Sequence, residues 1–307
     1  MPTDTTQPYT LAAVLKWEEE DLYSRDQITI LAGQSVVVGE VLGQVTAGTV
    51  PTTGTADGGN TGNGTMTSVT GGKFVKVGTY TMTCVAAATN AGTFSVKGPA
   101  GESGLPPAVV GVAYTSDQIN FTINDGATDF VVGDIFTVAV PAGGAQYREI
   151  NFAGVDGSAI AVGLAFANYD ASASGERTLA YTSGGTYEIT PGDIATGATS
   201  AATARVVQAP VSSGSWAGGD AAGTFTLDTQ SGTFVSENLN VGGNTNVATI
   251  AGNSTAVAAA DLAGVAIVRN AEIVDSELTW PSGATAAQKA TALAELADLG
   301  IIVRTEA

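Results

Sequence analysis

The sequence predicts a mainly β protein with one C-terminal helix, and three observations support this. Short runs rich in Val, Ile, Thr, Phe and Tyr recur along the 307 residues, and Gly, Asn, Asp and Ser separate them. Glycine accounts for 40 residues, nearly twice its usual share of roughly 7%. One Ala-rich segment near the C-terminus instead carries apolar residues at helical spacing. This combination is typical of an all-β sandwich or barrel with a helix added.

The predicted strands are short and β-branched or aromatic. In chain order they cover residues 27–31, 36–38, 73–77, 80–85, 93–96, 120–123, 135–140, 224–227 and 267–273. Turn-forming pairs such as Ala91-Gly92 and Ser231-Gly232 lie between them. The chain is therefore expected to fold as a series of hairpins.

The predicted helix covers residues 285–299. Thr285 is a suitable N-cap, and Gly300 is a suitable residue to end the helix in a left-handed conformation. Its apolar positions recur at intervals of three and four: Ala286, Ala290, Leu293, Leu296 and Ala297. Residues 301–303, Ile-Ile-Val, return to a strand.

The charge balance excludes several functions. The chain has 11 basic and 29 acidic residues, a net charge of −18, and no histidine. Without histidine, a Ser-His-Asp or Cys-His nucleophile and the usual zinc sites cannot be built. The negative charge disfavours binding to nucleic acid phosphates. We therefore expect no catalytic residue, no metal site and no cofactor.

Further sequence features bear on compartment and export. No apolar run approaches the length of a membrane span, and residues 1–10 lack the pattern of a secretory signal. Cys84 lies in an apolar run and is expected to be a buried, unreactive thiol. No membrane partner is expected, and a composition that allows no disulfide within the chain fits assembly in a reducing cytoplasm.

Three polar segments have a functional and a structural interpretation. The acidic run at residues 18–21 is interpreted as a solvated or partner-facing patch rather than an ion site, because consecutive side chains point in different directions. The Gly-rich residues 58–64 are interpreted as a flexible linker, because the Lys-Ser/Thr of a phosphate loop is missing. Turn formation is favoured over calcium binding for four aspartates: Asp117, Asp125, Asp129 and Asp134.

Several motifs, in this order, resemble those of phage lambda-type head decoration proteins. Tyr23-Ser24-Arg25-Asp26, Ile28-Thr29-Ile30 and Gly39-Glu40-Val41-Leu42-Gly43 are similar to the family's N-terminal pattern. Ala161-Val162-Gly163-Leu164-Ala165 resembles a central strand of the family. Val268-Arg269-Asn270-Ala271-Glu272-Ile273, then Leu278-Thr279-Trp280-Pro281 and the helix, resemble its C-terminal part.

This resemblance implies a discontinuous organisation. A decoration-protein β core would comprise residues 1–55, 142–187 and 255–307, the last part with the helix at 285–299. Two β-sandwich-like insertion domains would occupy residues 56–141 and 188–254. The simplest members of the family lack such insertions.

The resemblance also implies a function. Such proteins bind the major capsid protein as homotrimers at three-fold positions on the outer surface of the expanded head, and they stabilise it against DNA pressure. The expected contact residues lie in the N-terminal segment and the Trp-Pro corner: Leu11, Val14, Leu15, Trp17, Glu18, Glu19, Tyr23, Arg25, Leu278, Trp280 and Pro281. Residues 3–14 are expected to form an arm, and the exposed insertions are candidates for binding a host-surface glycan.

A second class of function fits the same composition. Acidic β chains rich in Thr, Gly and Asn also occur as secreted or surface adhesin-like modules that bind glycans or calcium. The lack of a signal peptide argues against this alternative, whereas the order of the family motifs favours a virion protein.

Overall fold

A computed structural model describes residues 10–19, 23–185 and 187–304. The chain forms two compact units, one drawn from residues 1–171 and 261–307 and the other from residues 172–260. The strands, numbered along the chain, are β1 Leu15–Glu18, β2 Arg25–Ile30, β3 Ser35–Val36, β4 Val41–Gln44, β5 Thr55–Ala56, β6 Thr65–Gly71, β7 Gly78–Ala88, β8 Ala91–Lys97, β9 Ala108–Val109, β10 Ala113–Tyr114, β11 Ile119–Asn124, β12 Ile135–Val140, β13 Tyr147–Glu149, β14 Ala161–Ala165, β15 Tyr169–Asp170, β16 Arg177–Gly184, β17 Ile194–Gly197, β18 Thr203–Gln208, β19 Val211–Ser213, β20 Ala221–Ser231, β21 Ser236–Val241, β22 Asn244–Ala251, β23 Thr255–Ala256, β24 Leu262–Ile267, β25 Ala271–Val274 and β26 Ile301–Arg304. The α-helices are α1 Leu11–Val14 and α2 Ala286–Asp298, and short 3₁₀ turns cover Pro99–Gly101 and Asp275–Glu277.

The centre of the first unit is a closed five-stranded barrel. Its strand order is β13-β2-β24-β14-β4, and β2 pairs antiparallel with β24 from Arg25↔Ile267 to Ile30↔Leu262. Alternation in β2 directs Ile28 and Ile30 into the barrel, while Gln27 and Thr29 face outward. Gly43 in β4 is required by a close approach, because a Cβ there would lie 2.0 Å from the carbonyl oxygen of Ser158.

Helix α2 covers a three-stranded sheet in which β25 lies between β1 and β26. Buried residues of the helix and the sheet share one hydrophobic cluster, which includes Ala292, Leu296, Ile273 and Ile301. Thr285 begins the helix with a capping box. The Thr285 hydroxyl accepts a hydrogen bond from the Gln288 backbone N–H, and the Gln288 side-chain oxygen accepts one from the Thr285 backbone N–H. The predicted helix is thus confirmed.

Residues 48–141 of the first unit form two facing sheets. One has the order β5-β12-β7-β8-β9 and the other β10-β11-β6. Phe94, Phe130 and Phe136 fill the space between them, with the Phe94 and Phe130 rings edge-on at 5.1 Å between centroids. An antiparallel β-bridge between Ala47 and Ala142 joins the segments through which the chain enters and leaves these sheets.

The second unit is an antiparallel sheet of eight strands, β19-β20-β18-β17-β21-β22-β16-β23, in which β16 also pairs with β20. Its core is centred on stacked aromatic rings. The Tyr181 ring lies 4.0 Å from that of Phe225 and 5.3 Å from that of Trp216, measured between centroids.

The mainly β fold class is confirmed, but three local predictions are wrong. Residues 73–77 form a turn rather than a strand, because the backbone N–H groups of Phe74 and Val75 bond to Asp117 and Gly72 instead of to a neighbouring strand. The predicted strand at 267–273 is two strands, interrupted where Asn270 adopts a positive φ of 42°.

The third correction concerns the Gly-rich residues 58–64. The Asp134 carboxylate accepts from the backbone N–H groups of Thr61 and Gly62 at 2.9 Å each, and Gly62 and Gly64 pack closely against Phe130. These glycines are therefore part of a packed loop rather than a free linker. Over the described residues, no helix has both the length and the apolar character needed to cross a bilayer.

Candidate functional site

The N-terminal segment packs onto its own chain from residue 11 onward. Helix α1 is a single turn, and its Val14 is fully buried against Gly39. Leu11 and Leu15 pack, partly buried, on the cluster beneath α2. Val14 thus contributes to the protein's own core, because its side chain has no surface for a partner. Residues 3–9 of the expected arm lie outside the described residues.

Trp17 and Tyr23 have the opposite environment. Their side chains are 55% and 52% exposed. Trp17 is paired with Glu272, which is paired with Ile302 on β26, so the three side chains form one row across the outer face of the sheet. Ile302 is 53% exposed. Exposed aromatic residues of this size are the usual anchors of protein interfaces.

Glu18, Glu19 and Arg25 make contacts within the chain. Arg25 donates two hydrogen bonds to the Glu18 carboxylate, from Nε to Oε2 at 2.8 Å and from its NH2 group to Oε1, and it lies 4.1 Å above the Phe166 ring. Glu19 accepts from the Asn270 side chain at 2.8 Å. These contacts fix the N-terminal segment beside the β24–β25 turn and neutralise part of the acidic patch, whose Glu20 and Asp21 lie outside the described residues.

The Trp-Pro corner is held between the barrel and α2. Leu278 is buried, while Trp280 and Pro281 are half-buried. Thr279 donates its N–H to the Gly39 carbonyl at 3.1 Å and accepts from the Val41 N–H at 3.2 Å. Lys289 places its Nζ 5.6 Å from the Trp280 ring centroid. Trp280 is therefore partly packed and partly accessible.

Glu40 is a residue that sequence reasoning missed. It is only 4% exposed, and its Oε2 accepts from the Val37 N–H at 2.7 Å. Burial raises its pKa from 4.5 to about 7; the Val37 bond opposes this, and the Glu149 carboxylate adds to it. A carboxylate alone in the apolar run of residues 36–42 was the signal that could have identified it.

Two other buried carboxylates organise loops. Asp134 accepts from three backbone N–H groups; burial raises its pKa, but these bonds outweigh burial and hold it below its usual range. Glu237 accepts from the N–H groups of Thr199 and Ser200 and from the Ser200 hydroxyl. Burial opposes this too, yet the bonds lower the pKa of Glu237 to about 2.

The structure shows the surroundings of the aspartates considered for calcium binding and of the thiol of Cys84. Asp134 binds the loop described above, and Asp129 accepts from the Asn90 N–H at 2.8 Å, which are turn-stabilising contacts. No group of three or more His, Cys, Asp or Glu in the described ranges could hold a metal ion. Cys84 is buried, and burial raises the pKa of its thiol. The exposed side chains of Trp17 and Tyr23 form the candidate site for binding another protein.

Comparisons with known proteins assign the family. The model of the family described as bacteriophage lambda head decoration protein D matches residues 4–205 and 185–301. No curated protein matches the chain significantly.

Two solved structures show a weak likeness. FlgL of Xanthomonas campestris is 17% identical over 37% of this chain and 34% of its own, with a TM-score of 0.24. The flagellar hook junction protein FlgK of Burkholderia pseudomallei is 15% identical over 86% of this chain and 50% of its own, also with a TM-score of 0.24. The chain thus spans about a third and half of these two proteins, and at such scores neither likeness bears on its fold or function.

The family match is of a different kind, since its two ranges together extend from residue 4 to residue 301. The chain belongs to the bacteriophage lambda head decoration protein D family.

Proposed function

We propose that this protein binds as a homotrimer at three-fold positions on the outer surface of the expanded head and stabilises the head against the pressure of packaged DNA. The observation that carries the proposal is the exposure of Trp17 and Tyr23 in a member of a capsid-binding family. Aromatic residues that are buried on association supply much of an interface's free energy.

The proposed contact region combines two surfaces of the first unit. One is the N-terminal segment with Trp17, Glu19 and Tyr23, and the other is the Trp-Pro corner with Trp280 and Pro281. Leu11, Val14, Leu15 and Leu278 support these surfaces from beneath, and the Glu18–Arg25 pair holds the segment in place. The partners are the major capsid protein and the other two copies.

A trimeric clamp is physically sensible for this chain. In a three-fold ring each copy joins its neighbour through two different patches, and the ring closes. Three weak capsid contacts made together bind far more tightly than one. With a net charge of −18 per copy, free trimers repel one another and stay soluble before they meet the capsid.

Residues 56–141 and 188–254 are proposed to be insertions into a core built from residues 1–55, 142–187 and 255–307. Strands β16 and β23, which lie at the ends of the flanking core segments, pair within the sheet of the second unit. A cavity of about 490 Å³ in the first insertion supports glycan binding as an added role. Phe74, 45% exposed, borders it together with Asp117 and Gln118. An apolar ring beside a carboxylate and an amide matches the mixed apolar and polar surface of a sugar.

The test uses expanded heads that lack their decoration protein. Wild-type protein should saturate them, and Trp17→Ala and Tyr23→Ala should each weaken binding by about tenfold or more, since each removes a large buried anchor. Phe74→Ala is the matched control, because it removes an exposed ring from the first insertion; it should bind heads normally. Equal binding by all four proteins would refute the proposal.

The same variant separates the two roles. A glycan array should lose signal with Phe74→Ala but retain it with Trp17→Ala. An array on which the wild-type protein binds nothing would remove the glycan role and leave the capsid role intact.

A further inference from the structure

Arg148 has an unusual environment for a charged side chain. It is half-buried on β13, and its Nε is shut off from solvent without a hydrogen-bond partner among the described residues. The other five arginines all donate side-chain hydrogen bonds within the chain. A buried polar atom that is left unpaired is costly and rare in folded proteins, so it needs an explanation.

The neighbouring carboxylate does not supply a partner. Glu149 follows Arg148 on the same strand, and consecutive side chains of a strand point to opposite faces. The Glu149 carboxylate interacts with Glu40 instead. The Arg148 guanidinium is therefore not paired with the Glu149 carboxylate.

Arg148 and Glu149 both line a cavity of about 230 Å³ between the segment after β13 and the start of α2. Asn151 and Phe152 line one side, and Pro281, Ala284 and Gln288 line the other. Next to it, Lys289 lies over Trp280, which adds a second positive charge. The N-terminus of α2 is already capped by Thr285, so the helix end itself is not the attraction.

We propose that an acidic side chain of a neighbouring copy of this chain enters the cavity and pairs with Arg148. The two terminal nitrogens of the guanidinium, rather than the enclosed Nε, suit a carboxylate, which can accept two bonds side by side. The chain has 29 acidic and 11 basic residues, so its surface offers many carboxylates that find no cation within the copy. Two copies that each carry −18 also repel, and a carboxylate–cation contact at their interface offsets that repulsion.

The inference rests on the proposed homotrimer and identifies one of its contacts. Arg148→Met retains the aliphatic stem but removes the guanidinium, and Lys97→Met makes the same change of charge at an exposed position on β8. Association between copies is measured by sedimentation velocity over a range of concentrations, and on heads by image reconstruction. The thermal midpoint of each variant checks that it folds.

Arg148→Met should weaken association between copies by about tenfold or more, and Lys97→Met by less than about twofold. Arg148→Lys, which keeps the charge but not the planar fork, should give an intermediate loss and serves if the methionine variant fails to fold. In the reconstruction, a carboxylate of a neighbouring copy should lie within hydrogen-bond distance of Arg148.

Three outcomes would overturn the inference. If Arg148→Met associates as tightly as wild type, the cavity holds no partner side chain, while the proposed function stands. If copies associate normally but Arg148→Met binds heads weakly, the occupant is the capsid protein rather than a second copy. If wild-type copies associate neither in solution nor on heads, the homotrimer and this contact fail together.

Discussion

Replacing Glu40 by glutamine should make the stability of the first unit less dependent on pH. Glutamine keeps an acceptor for the Val37 N–H and a donor toward Glu149, so the contacts of the protonated carboxyl persist. What the change removes is the ionisation of a buried group. When the pH exceeds the usual glutamate pKa, the wild-type protein must either keep Glu40 protonated or bury its negative charge beside Glu149.

The magnitude follows from the pKa. Glu40 has a folded-state pKa of about 7 against 4.5 for an ordinary glutamate. Because the folded pKa is raised, the stabilising contribution is fully present below pH 4.5 and is lost as the pH rises through 7. At 1.36 kcal/mol per pKa unit, the loss between pH 5 and pH 8 is about 2.5 kcal/mol.

The assay is urea unfolding at pH 5 and pH 8, followed by tryptophan fluorescence. A Trp216→Phe background leaves Trp17 and Trp280 as reporters, and both belong to the first unit. The free energy of unfolding of Glu40→Gln relative to its parent should rise by about 2.5 kcal/mol between the two pH values. Glu19→Gln, which removes an exposed carboxylate of the same unit, is the matched control and should show little such change.

A difference between Glu40→Gln and its parent that is the same at pH 5 and pH 8 would refute the reasoning. It would mean that Glu40 does not titrate in this range, and that burial beside Glu149 does not have the effect assigned to it.

Three further substitutions test other parts of the fold. Glu237→Gln places an amide against N–H donors. The folded-state pKa of the wild-type Glu237 is about 2, so the carboxylate contributes stability that is present above pH 4.5 and lost toward pH 2. The variant should therefore lose at most about 3 kcal/mol of unfolding free energy at pH 7, and its stability, followed by Trp216 fluorescence, should change less in acid. Gly43→Ala drives a Cβ into the Ser158 carbonyl and should lower the free energy of unfolding in urea by about 3 kcal/mol. Gly58 has open space around it, so Gly58→Ala should change stability by less than about 0.5 kcal/mol. Equal effects of the two substitutions would contradict the close approach at Gly43. Thr285→Ala should cost about 1 kcal/mol through loss of the cap and Thr285→Ser should restore it, and a serine variant as unstable as alanine would argue against capping.

Local signals predicted the parts of the fold that depend on local physics. The strand at residues 135–140 was expected from its β-branched and aromatic residues and is observed as Ile135–Val140 with the same bounds. The α2 helix begins after Thr285 and is followed by Gly300 at φ +75°, as its capping residues indicate. The capping contacts of the helix lie within one turn of the chain. The strand pairs with β5 and β7, which are distant in the chain, but its residue types alone were enough to predict it.

Long-range contacts decided the rest. Residues 73–77 are rich in Val and Phe and look like a strand, yet the Phe74 N–H bonds to the Asp117 carbonyl in a turn. Val14 and Trp17 are both apolar and three residues apart, but one is buried and the other exposed because β1 pairs with a strand more than 250 residues away. No local pattern encodes that pairing.

The candidate site was predicted to a similar extent. Trp17 and Tyr23 were identified as anchors and are exposed, although their contact with a partner remains a prediction. Arg148 was missed because the sequence does not show that its Nε is buried without a hydrogen-bond partner among the described residues; the packing of the folded chain shows it. The pair of Glu40 and Glu149, 109 residues apart in the chain, was missed for the same reason.

The most direct test of the central claim is a reconstruction of expanded heads saturated with this protein. The account predicts trimeric density at the three-fold positions on the outer surface, with Trp17 and Tyr23 at the capsid or between copies. Density at other positions, single copies at the three-fold axes, or both aromatic side chains facing solvent would contradict it.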